Sequence, residues 1–420
     1  MILRKREFVN RLIELIGLFV LTNQAIKDKM NYLATRQFEK KKEIGVGTPV
    51  KSVLPNHFTE RRNPMPITKL YNTWMDKIVQ LLPNERVTRV RNLAWLLAGI
   101  FQSKSVHLSK VASQLPGKAM LVSATRRLDR FLESSEFRVR DWYEPIAKRL
   151  LAQRAGQEYR LIVDGSKVGF GHQFLVITLA YRRRAIPLVW MWVRSSRGHS
   201  TAGRQLALLS YVYKLLPADA DVLVLGDSEF GAVEVLEQLD QWGWMYVLRQ
   251  KGSHLVREND QSPWISLGSL LTKAGQSLWL GQRQLTQLHA YSVNVLAHWK
   301  IGEKEPWLLA TNLPTLREAL KAYERRMWIE EMFGDLKDNG FDLESTHLRS
   351  VFKLHRLTFA VVLLFLELVT SGSKIIKNGL RHLVDRPDRR DLSIFRIGLY
   401  MRERHLANSN NLMFDFYPVL

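Results

Sequence analysis

The stretch Tyr159-Arg-Leu-Ile-Val-Asp164-Gly-Ser166 marks the place where the sequence pattern changes from helical to strand-like. Its β-branched and aromatic residues predict a strand, Tyr159–Val163, and similar runs follow it. Two segments with helical spacing, Leu206–Leu216 and Val233–Trp242, separate the last three of these runs. Strands that alternate with helices in this way predict an α/β domain with a mixed sheet. The other predicted strands are Phe174–Tyr181, Ile186–Val193, Val222–Leu225 and Trp244–Leu248.

A segment rich in Gln, Ser and Trp interrupts this alternation at about residues 250–305. It contains two strand-like pieces, Leu278–Leu280 and Ala290–Trp299, and therefore predicts a β-rich insertion. After the insertion, Trp307–Ala310 is predicted to be a strand. The apolar spacing of Leu316–Lys337 then predicts a long helix.

The part of the chain before Tyr159 has helical periodicity, from Leu70 to Leu151. Pro116-Gly117 breaks this part, and Ala124–Leu132 follows the break as a helix that carries basic residues. Short helices with an arginine-rich third helix are typical of a helix-turn-helix DNA-binding domain. A small helical bundle with a solvated basic face is the alternative. The arginines concerned are Arg126, Arg127 and Arg130.

These patterns divide the chain into four predicted regions. Residues 1–20 are predicted to be helical, and the polar, Pro- and Gly-containing residues 35–66 are predicted to be a linker whose role stays open. The regions are residues 1–69 (N-terminal helix and linker), 70–155 (helical DNA-binding domain), 156–345 (catalytic domain with the insertion) and 346–420 (C-terminal helices).

The charge of the chain favours a polyanionic partner. The 420 residues include 62 Lys+Arg and 40 Asp+Glu, a net charge of +22. Residues 1–160 hold 30 basic and 14 acidic side chains, whereas residues 161–420 hold 32 and 26. Nucleic acid is the usual partner of so basic a protein. The absence of cysteine excludes disulfide scaffolds, thiolate metal sites and cysteine catalysis.

Neither apolar stretch of the chain has the properties of a membrane span. Ile13–Leu21 contains Glu14, is far shorter than the roughly 20 residues of a span, and lacks a signal-peptide cleavage site. Leu357–Val369 carries Glu367 and is flanked by basic residues, so it is predicted to be a buried core helix. We therefore expect a cytoplasmic protein without a membrane partner, associated with the bacterial nucleoid when bound to DNA.

Two aspartates follow predicted strands directly. Asp164 comes after Leu161-Ile-Val163, and Asp227 comes after the run from Val222 to Gly226. In open α/β sheets, ligands bind at the carboxyl ends of the strands, so these acids are candidate site residues. The alternative is that each acid only caps a turn.

The predicted long helix carries Tyr323, Arg326, Glu330 and Lys337 at offsets of 0, 3, 7 and 14 residues. At about 100° per residue these side chains share a stripe about 60° wide. The stripe places a carboxylate beside two cations and a phenol. A salt-bridged surface stripe is the alternative interpretation.

Together with Asp164 and Asp227, Glu330 would complete a site made only of oxygen ligands. Such ligands suit Mg²⁺ or Mn²⁺, and the missing cysteines exclude softer metal sites. Three acids can hold two ions about 3.5–4 Å apart, which is the arrangement used for in-line displacement at phosphorus. Arg326 and Lys337 are suitable partners for the phosphates.

Three segments of the chain resemble the IS4-type transposases, members of the DDE superfamily with an RNase H-like catalytic core. The third segment fits the Tyr-x₂-Arg-x₃-Glu-x₆-Lys signature of that family at all four positions, whereas the first two are short. Ser228 departs from the arginine that often follows the second aspartate in the family. The segments are Ile162–Ser166, Leu225–Phe230 and Tyr323–Lys337.

The resemblance implies roles for these residues. Asp164, Asp227 and Glu330 would be catalytic and bind two ions of Mg²⁺, or of Mn²⁺. Tyr323, Arg326 and Lys337 would contact the phosphates of the transposon ends. Apart from the resemblance, the helix-turn-helix interpretation makes Arg126, Arg127 and Arg130 candidates for DNA binding.

The implied activity is excision of an insertion sequence at its terminal inverted repeats through hairpin ends, followed by strand transfer into target DNA. A homodimer would hold the two ends. The alternatives are an RNase H-like nuclease without strand transfer and a non-catalytic, transposase-derived DNA-binding protein.

Two further basic clusters are candidates for contacts with a DNA backbone. One is Arg182–Arg184, between two predicted strands, and the other lies in the C-terminal region. A solvated basic edge is the alternative for the first cluster. The C-terminal arginines are Arg381, Arg386, Arg389 and Arg390.

Overall fold

A computed structural model describes residues 66–168, 171–194, 200–408 and 410–419 of the chain. The helix predicted for residues 1–20 lies outside the described residues, as does the linker predicted for residues 35–66, except for its last residue. The described residues lie in one compact unit.

One mixed sheet of ten strands runs through the described part of the chain, in the order β3-β2-β1-β4-β5-β10-β9-β8-β6-β7. The pairs β1–β4 and β4–β5 are parallel, whereas β1–β2, β2–β3 and β5–β10 are antiparallel. The predicted α/β class with a mixed sheet is therefore confirmed. The strands are β1 (Tyr159–Val168), β2 (His172–Tyr181), β3 (Arg184–Arg194), β4 (Val222–Gly226), β5 (Met245–Arg249), β6 (Leu255–Arg257), β7 (Ile265–Ser266), β8 (Ser277–Leu285), β9 (Tyr291–His298) and β10 (Trp307–Thr311).

Strand β2 is covered on both faces. All ten residues of β2 are buried, as expected for a strand whose two faces both pack against other elements. The predicted insertion does not form a separate sheet. Its strands β6–β9 extend the same sheet through the pairing of β9 with β10.

Helices precede, separate and follow these strands. The predicted helical periodicity before the sheet is confirmed, because five helices fill residues 66–152. The helices of the described segments are α1 (Pro66–Leu81), α2 (Val87–Ser103), α3 (Leu108–Ser113), α4 (Leu121–Glu133), α5 (Val139–Ala152), α6 (Ala202–Leu215), α7 (Val233–Gln241), α8 (Leu316–Tyr323), α9 (Trp328–Leu336), α10 (Val351–Lys377) and α11 (Ile394–Ala407).

The prediction of one continuous helix over Leu316–Lys337 is wrong. Helix α8 ends at Tyr323, a 3₁₀ turn spans Glu324–Met327, and α9 ends at Leu336. A 3₁₀ turn advances about 120° per residue instead of 100°, so four such residues rotate the second helix by roughly 80° relative to the first. Tyr323 therefore does not share the predicted stripe with Glu330. Lys337 follows the last residue of α9 in a non-helical conformation.

The apolar stretch Leu357–Val369 is a buried core helix, as predicted. Every residue of this stretch is buried within the longer helix α10. By length and composition α10 could cross a membrane, but 83% of its most apolar window is buried inside the protein. Helix α10 packs against β3 and against α2, α4 and α11. It therefore connects the sheet with helices that precede the sheet in the sequence and with a helix that follows it.

Helices α10 and α11 approach each other closely at glycines. A Cβ atom on Gly398 would lie 1.9 Å from the backbone oxygen of Leu368, and one on Gly372 would lie 2.0 Å from that of Ile394. Backbone atoms cannot move aside as a flexible side chain can. Only glycine therefore allows this spacing between the two helices.

We expect Gly398→Ala to lower the free energy of unfolding by about 1–3 kcal/mol, the usual cost of overpacking. Alanine would otherwise favour a helix by roughly 1 kcal/mol, so the steric contact decides the sign. Gly203→Ala is a matched control, because no atom lies within 4 Å of a Cβ at that helical position. Urea denaturation measures both variants. Equal stabilities of the two alanine variants would contradict the close approach.

Candidate active site

Asp164 and Asp227 lie at the same edge of the sheet. Strand β1 pairs with β4 in parallel as far as Val163 and Gly226, and the next residue of each chain segment is one of the two aspartates. The prediction that Asp164 follows its strand is wrong. Asp164 lies within β1, because this strand continues to Val168 through its pairing with β2. The site therefore begins where the two strands stop pairing.

Helix α9 and the turn before it bring Glu330 and Arg326 to this edge. Arg326 donates through Nη1 to Oδ2 of Asp164 over 2.9 Å and through Nη2 to Oε1 of Glu330 over 3.2 Å. One guanidinium thus bridges two of the three predicted acids. The third, Asp227, forms no ion pair with Arg326 among the described residues, but its charge helps to raise the pKa of that guanidinium.

Burial and charge strongly perturb the pKa values of the two aspartates. Burial and then the neighbouring Asp227 carboxylate raise the pKa of Asp164 to about 8, although Arg326 opposes the shift. The pKa of Asp227 is also raised, mainly by burial. Perturbed carboxyl groups that face one another are typical of functional sites. The charged forms of these two buried carboxyl groups are therefore energetically unfavourable.

The raised pKa of Asp164 predicts a loss of stability with increasing pH. Because the folded chain binds this proton more tightly than the unfolded chain does, the stabilisation is complete below about pH 4 and is lost as the pH rises to about 8. Asp164→Asn has no carboxyl to titrate. We therefore expect it to lose less free energy of unfolding than the wild type between about pH 5 and pH 8. Urea denaturation with EDTA present measures both proteins, and equal losses would contradict this expectation.

A hydrogen-bond network fixes the segment that follows β4. The backbone N–H of Glu229 donates to Oδ1 of Asp227 over 2.9 Å. The Glu229 carboxylate accepts from Nε2 of Gln173 at 2.9 Å and from the backbone N–H of Ser200 at 2.6 Å. The Gln173 amide lies 2.5 Å from the position of a Cβ on Gly165, so a larger residue at position 165 would displace this amide.

Sequence reasoning missed Gln173 and Glu229 as site residues. Glu229 is the second acid after β4, and this position was the only signal for it in the sequence. Gln173 lies on β2, and its partner Glu229 is 56 residues away, so no local pattern predicts the contact.

The two remaining residues of the predicted stripe lie elsewhere. Tyr323 is 2% exposed and packs against Trp307 with 5.0 Å between ring centroids. Burial raises its pKa to about 12. Lys337 forms an ion pair with Glu344, and none of its contacts in the described segments involves the three acids. Their contacts with phosphate stay predictions.

The arginines predicted to bind DNA in the helical region are exposed. Arg126, Arg127 and Arg130 lie on α4, and no ion pair among the described residues involves them. Met120 and Leu121 at the start of α4 are also exposed, by 75% and 49%. Exposed residues at the start of α4 and arginines without ion pairs in the described segments agree with both sequence interpretations, a DNA-binding helix and a solvated basic face.

The acids suit a hard divalent cation by their chemistry, but their side chains do not enclose one. Among the described residues, no three His, Asp or Glu side chains lie close enough together to hold a metal ion. Asp164 and Glu330 each present an oxygen to Arg326, so an ion that uses these two oxygens must displace the guanidinium. The carboxylate donor set fits Mg²⁺ or Mn²⁺, and Arg326 supplies the positive charge in the present arrangement.

Comparison with known proteins identifies the domain that contains this site. No curated protein sequence matches the chain significantly. Among solved structures, the chain is similar to the piggyBac transposase in its synaptic complex with hairpin DNA, with 10% identity, a TM-score of 0.36 and coverage of 84% of this chain and 83% of that one. It is also similar to the Marinitoga piezophila Argonaute in complex with 5′-OH guide RNA and target DNA, with 10% identity, a TM-score of 0.21 and coverage of 59% and 37%. Both TM-scores are too low to carry an argument.

The sequence itself matches a family model. Residues 158–366 match the family described as the transposase DDE domain. This range begins one residue before β1, ends within α10, and includes Asp164, Asp227 and Glu330. The match therefore supports the DDE transposase family that the sequence predicts for this chain.

Proposed function

We propose that this protein is a metal-dependent DNA transposase of the IS4 type that excises an insertion sequence and joins it to target DNA. The observation that carries the proposal is the bridge of Arg326 between Asp164 and Glu330, beside Asp227, within the transposase DDE domain. The spacing of Tyr323, Arg326, Glu330 and Lys337 supports the IS4 assignment. The strand order β3-β2-β1-β4-β5, with its parallel and antiparallel pairs, supports an RNase H-like core.

Asp164, Asp227 and Glu330 would hold two divalent ions, Mg²⁺ or Mn²⁺. When bound, such ions polarise the phosphate and lower the pKa of the attacking water. Arg326 serves two purposes in this proposal. Its guanidinium neutralises the acids before DNA arrives, and its two N–H groups match the geometry of phosphate oxygens afterwards.

All chemical steps of the proposal are in-line displacements at phosphorus. Water attacks the phosphate at each transposon end, a new P–O bond forms, and the bond to the 3′ oxygen breaks to leave a 3′-hydroxyl. That hydroxyl attacks a phosphate of the opposite strand and displaces the 3′ oxygen of the flanking DNA, which forms a hairpin. A second water molecule opens the hairpin by displacing the same transposon 3′ oxygen. The regenerated 3′-hydroxyl then attacks a phosphate of the target DNA and displaces the 3′ oxygen of the target strand. Two ends cut together require a homodimer, and Arg126, Arg127 and Arg130 are proposed to bind the DNA.

An assay with paired ends tests the proposal. The DNA that flanks the reading frame supplies the inverted repeats, and duplexes with these ends are incubated with the protein, Mg²⁺ and a supercoiled plasmid. We expect cleaved ends, hairpins and plasmid joined to the ends. Cleavage without joined product would favour a nuclease without strand transfer. Specific binding of the ends without cleavage would favour a non-catalytic DNA-binding protein.

A further inference from the structure

A basic groove lies beside α9. It encloses about 1250 Å³, open solvent included. Three parts of the chain that are distant in sequence form it: the β2–β3 hairpin, the start of α9 with the residue before it, and the C-terminal region up to the start of α11. Its lining residues include Arg182, Arg183, Arg184, Met327, Trp328, Glu331, Arg381 and Arg390.

The groove is attached to the helix that carries Glu330. Glu331 follows Glu330 and points about 100° further round α9, so the groove and the candidate active site flank the same helix. Arg184 joins the hairpin to this helix, because its guanidinium contacts Asp335 at 2.7 Å and Glu331 at 3.1 Å. Asp335 is 1% exposed. The hairpin is therefore held in place by a largely buried ion pair.

The positive charge of the groove is only partly neutralised. Five arginines and two acids line it. Both acids already form ion pairs, Glu331 with Arg184 and Asp391 with Arg389. Arg381 is paired with Asp385. In the described segments, no ion pair involves the lining residues Arg182, Arg183 and Arg390.

The turn of the hairpin is an unfavourable place for arginine. Arg182 and Arg183 have φ values of 42° and 63°, as both central residues of a type I′ turn require. Asn-Gly is the preferred pair there, because other side chains cost about 1–2 kcal/mol each in this conformation. Both arginines are exposed, and the Arg182 guanidinium lies 5.6 Å from the Tyr181 ring centroid. The turn thus places two cations at the groove at a cost in folding stability.

We propose that this groove binds the phosphate backbone of a DNA duplex next to the phosphate on which the acids act. The inference rests on the proposed transposase function and extends it to a second DNA-binding surface. A row of unpaired arginines recognises phosphates without regard to base sequence. The exposed apolar side chain of Met327 and the half-buried Trp328 form part of the same wall and suit sugar and base edges. The duplex is either DNA that continues beyond the transposon end or the target DNA.

The variant Arg182→Asn with Arg183→Gly tests the groove without disturbing the fold. Asn-Gly is the favoured pair for this turn, so the free energy of unfolding should stay the same or rise. A matched control, Lys148→Gln with Lys214→Gln, removes two charges from exposed positions on α5 and α6 outside the groove. The probe is a duplex of arbitrary sequence, and its dissociation constant is measured by fluorescence anisotropy at several salt concentrations.

Loss of two phosphate contacts should reduce the slope of log affinity against log salt by roughly 1.8, at about 0.9 per contact. The control should keep the slope of the wild type. An unchanged slope in the turn variant, or an equal reduction in the control, would overturn the proposal.

A second arm distinguishes the two sources of the duplex. The turn variant is incubated with paired ends and plasmid. Normal cleavage with less joined product assigns the groove to target DNA, whereas reduced cleavage assigns it to DNA beyond the transposon end. Normal amounts of both products would overturn the proposal. The groove proposal and the transposase proposal can fail independently. The salt dependence of DNA binding tests the groove and does not depend on catalysis, whereas variants of the acids test the transposase function.

Discussion

Replacement of Asp227 by asparagine is expected to lower excision by about a thousandfold or more. Asparagine keeps the size of the side chain and an oxygen that can accept the N–H of Glu229, which is 2.9 Å from Oδ1. It removes the negative charge that the proposed site needs for divalent ions. Loss of about 4 kcal/mol of transition-state stabilisation corresponds to this factor. Excision from a donor plasmid measures the effect.

The control for this variant lies at the other end of the same strand. Asp221 directly precedes β4 and is exposed, whereas Asp227 directly follows β4. Asp221→Asn should therefore excise at the rate of the wild type. Asp227→Asn should unfold at the same urea concentration as the wild type or a higher one, because burial of its carboxylate is unfavourable. Normal excision by Asp227→Asn would show that the acid assignment is wrong.

Replacement of Arg402 by methionine is expected to lower the free energy of unfolding by about 3–5 kcal/mol. Arg402 on α11 and Glu367 on α10 form an ion pair in which their side chains are 5% and 2% exposed. Removal of the cation leaves a carboxylate without a partner in the core between the two helices. Burial raises the pKa of Glu367, which shows how unfavourable its charged form is there. Urea denaturation at neutral pH measures the loss.

The double variant Glu367→Met with Arg402→Met separates charge from packing. Removal of both charges also removes the cost of burying them, so the double variant should be more stable than the single variant and close to the wild type. If the single and double variants lose the same stability, packing and not the unpaired charge is responsible. A loss below about 1 kcal/mol in the single variant would contradict the burial of the pair.

The strands were predictable because their residues are locally distinctive. The apolar runs after Tyr159 identified β1 to β5, and the family resemblance rested mainly on the spacing of Tyr323, Arg326, Glu330 and Lys337. The bounds were less predictable. Strand β1 continues beyond Asp164 to Val168 because β2 pairs with it there, and such pairing depends on a partner that the run itself does not contain.

The break in the predicted long helix had no clear local signal. Glu324–Met327 contains ordinary helix-forming residues, yet it forms a 3₁₀ turn. Tyr323 is buried against Trp307 on β10, and Ile329 is buried in the core. An unbroken helix keeps a fixed rotation between these two positions. The 3₁₀ turn changes that rotation, and the demand for it comes from the core rather than from the sequence of the helix.

The candidate site also combines residues that the sequence indicated with contacts that it did not. Asp164, Asp227 and Glu330 were singled out from the sequence, and the structure brings Asp164 and Glu330 to one cation. The bridge by Arg326 spans 162 residues to Asp164, and the contact of Gln173 with Glu229 spans 56. Spacing along the chain carries no information about such contacts.

By itself, the sequence determined the α/β class, the basic character of the chain and the buried core helix, and it singled out the three acids as candidates. These properties follow from composition, local periodicity and short motifs, which act over a few residues. Only the tertiary structure decided that Arg326 lies between two of the acids, that Lys337 pairs with Glu344, and that three distant segments form a basic groove beside α9. Each of these depends on side chains that meet across the fold, where distance in space and burial, not order in the chain, set the interaction energy.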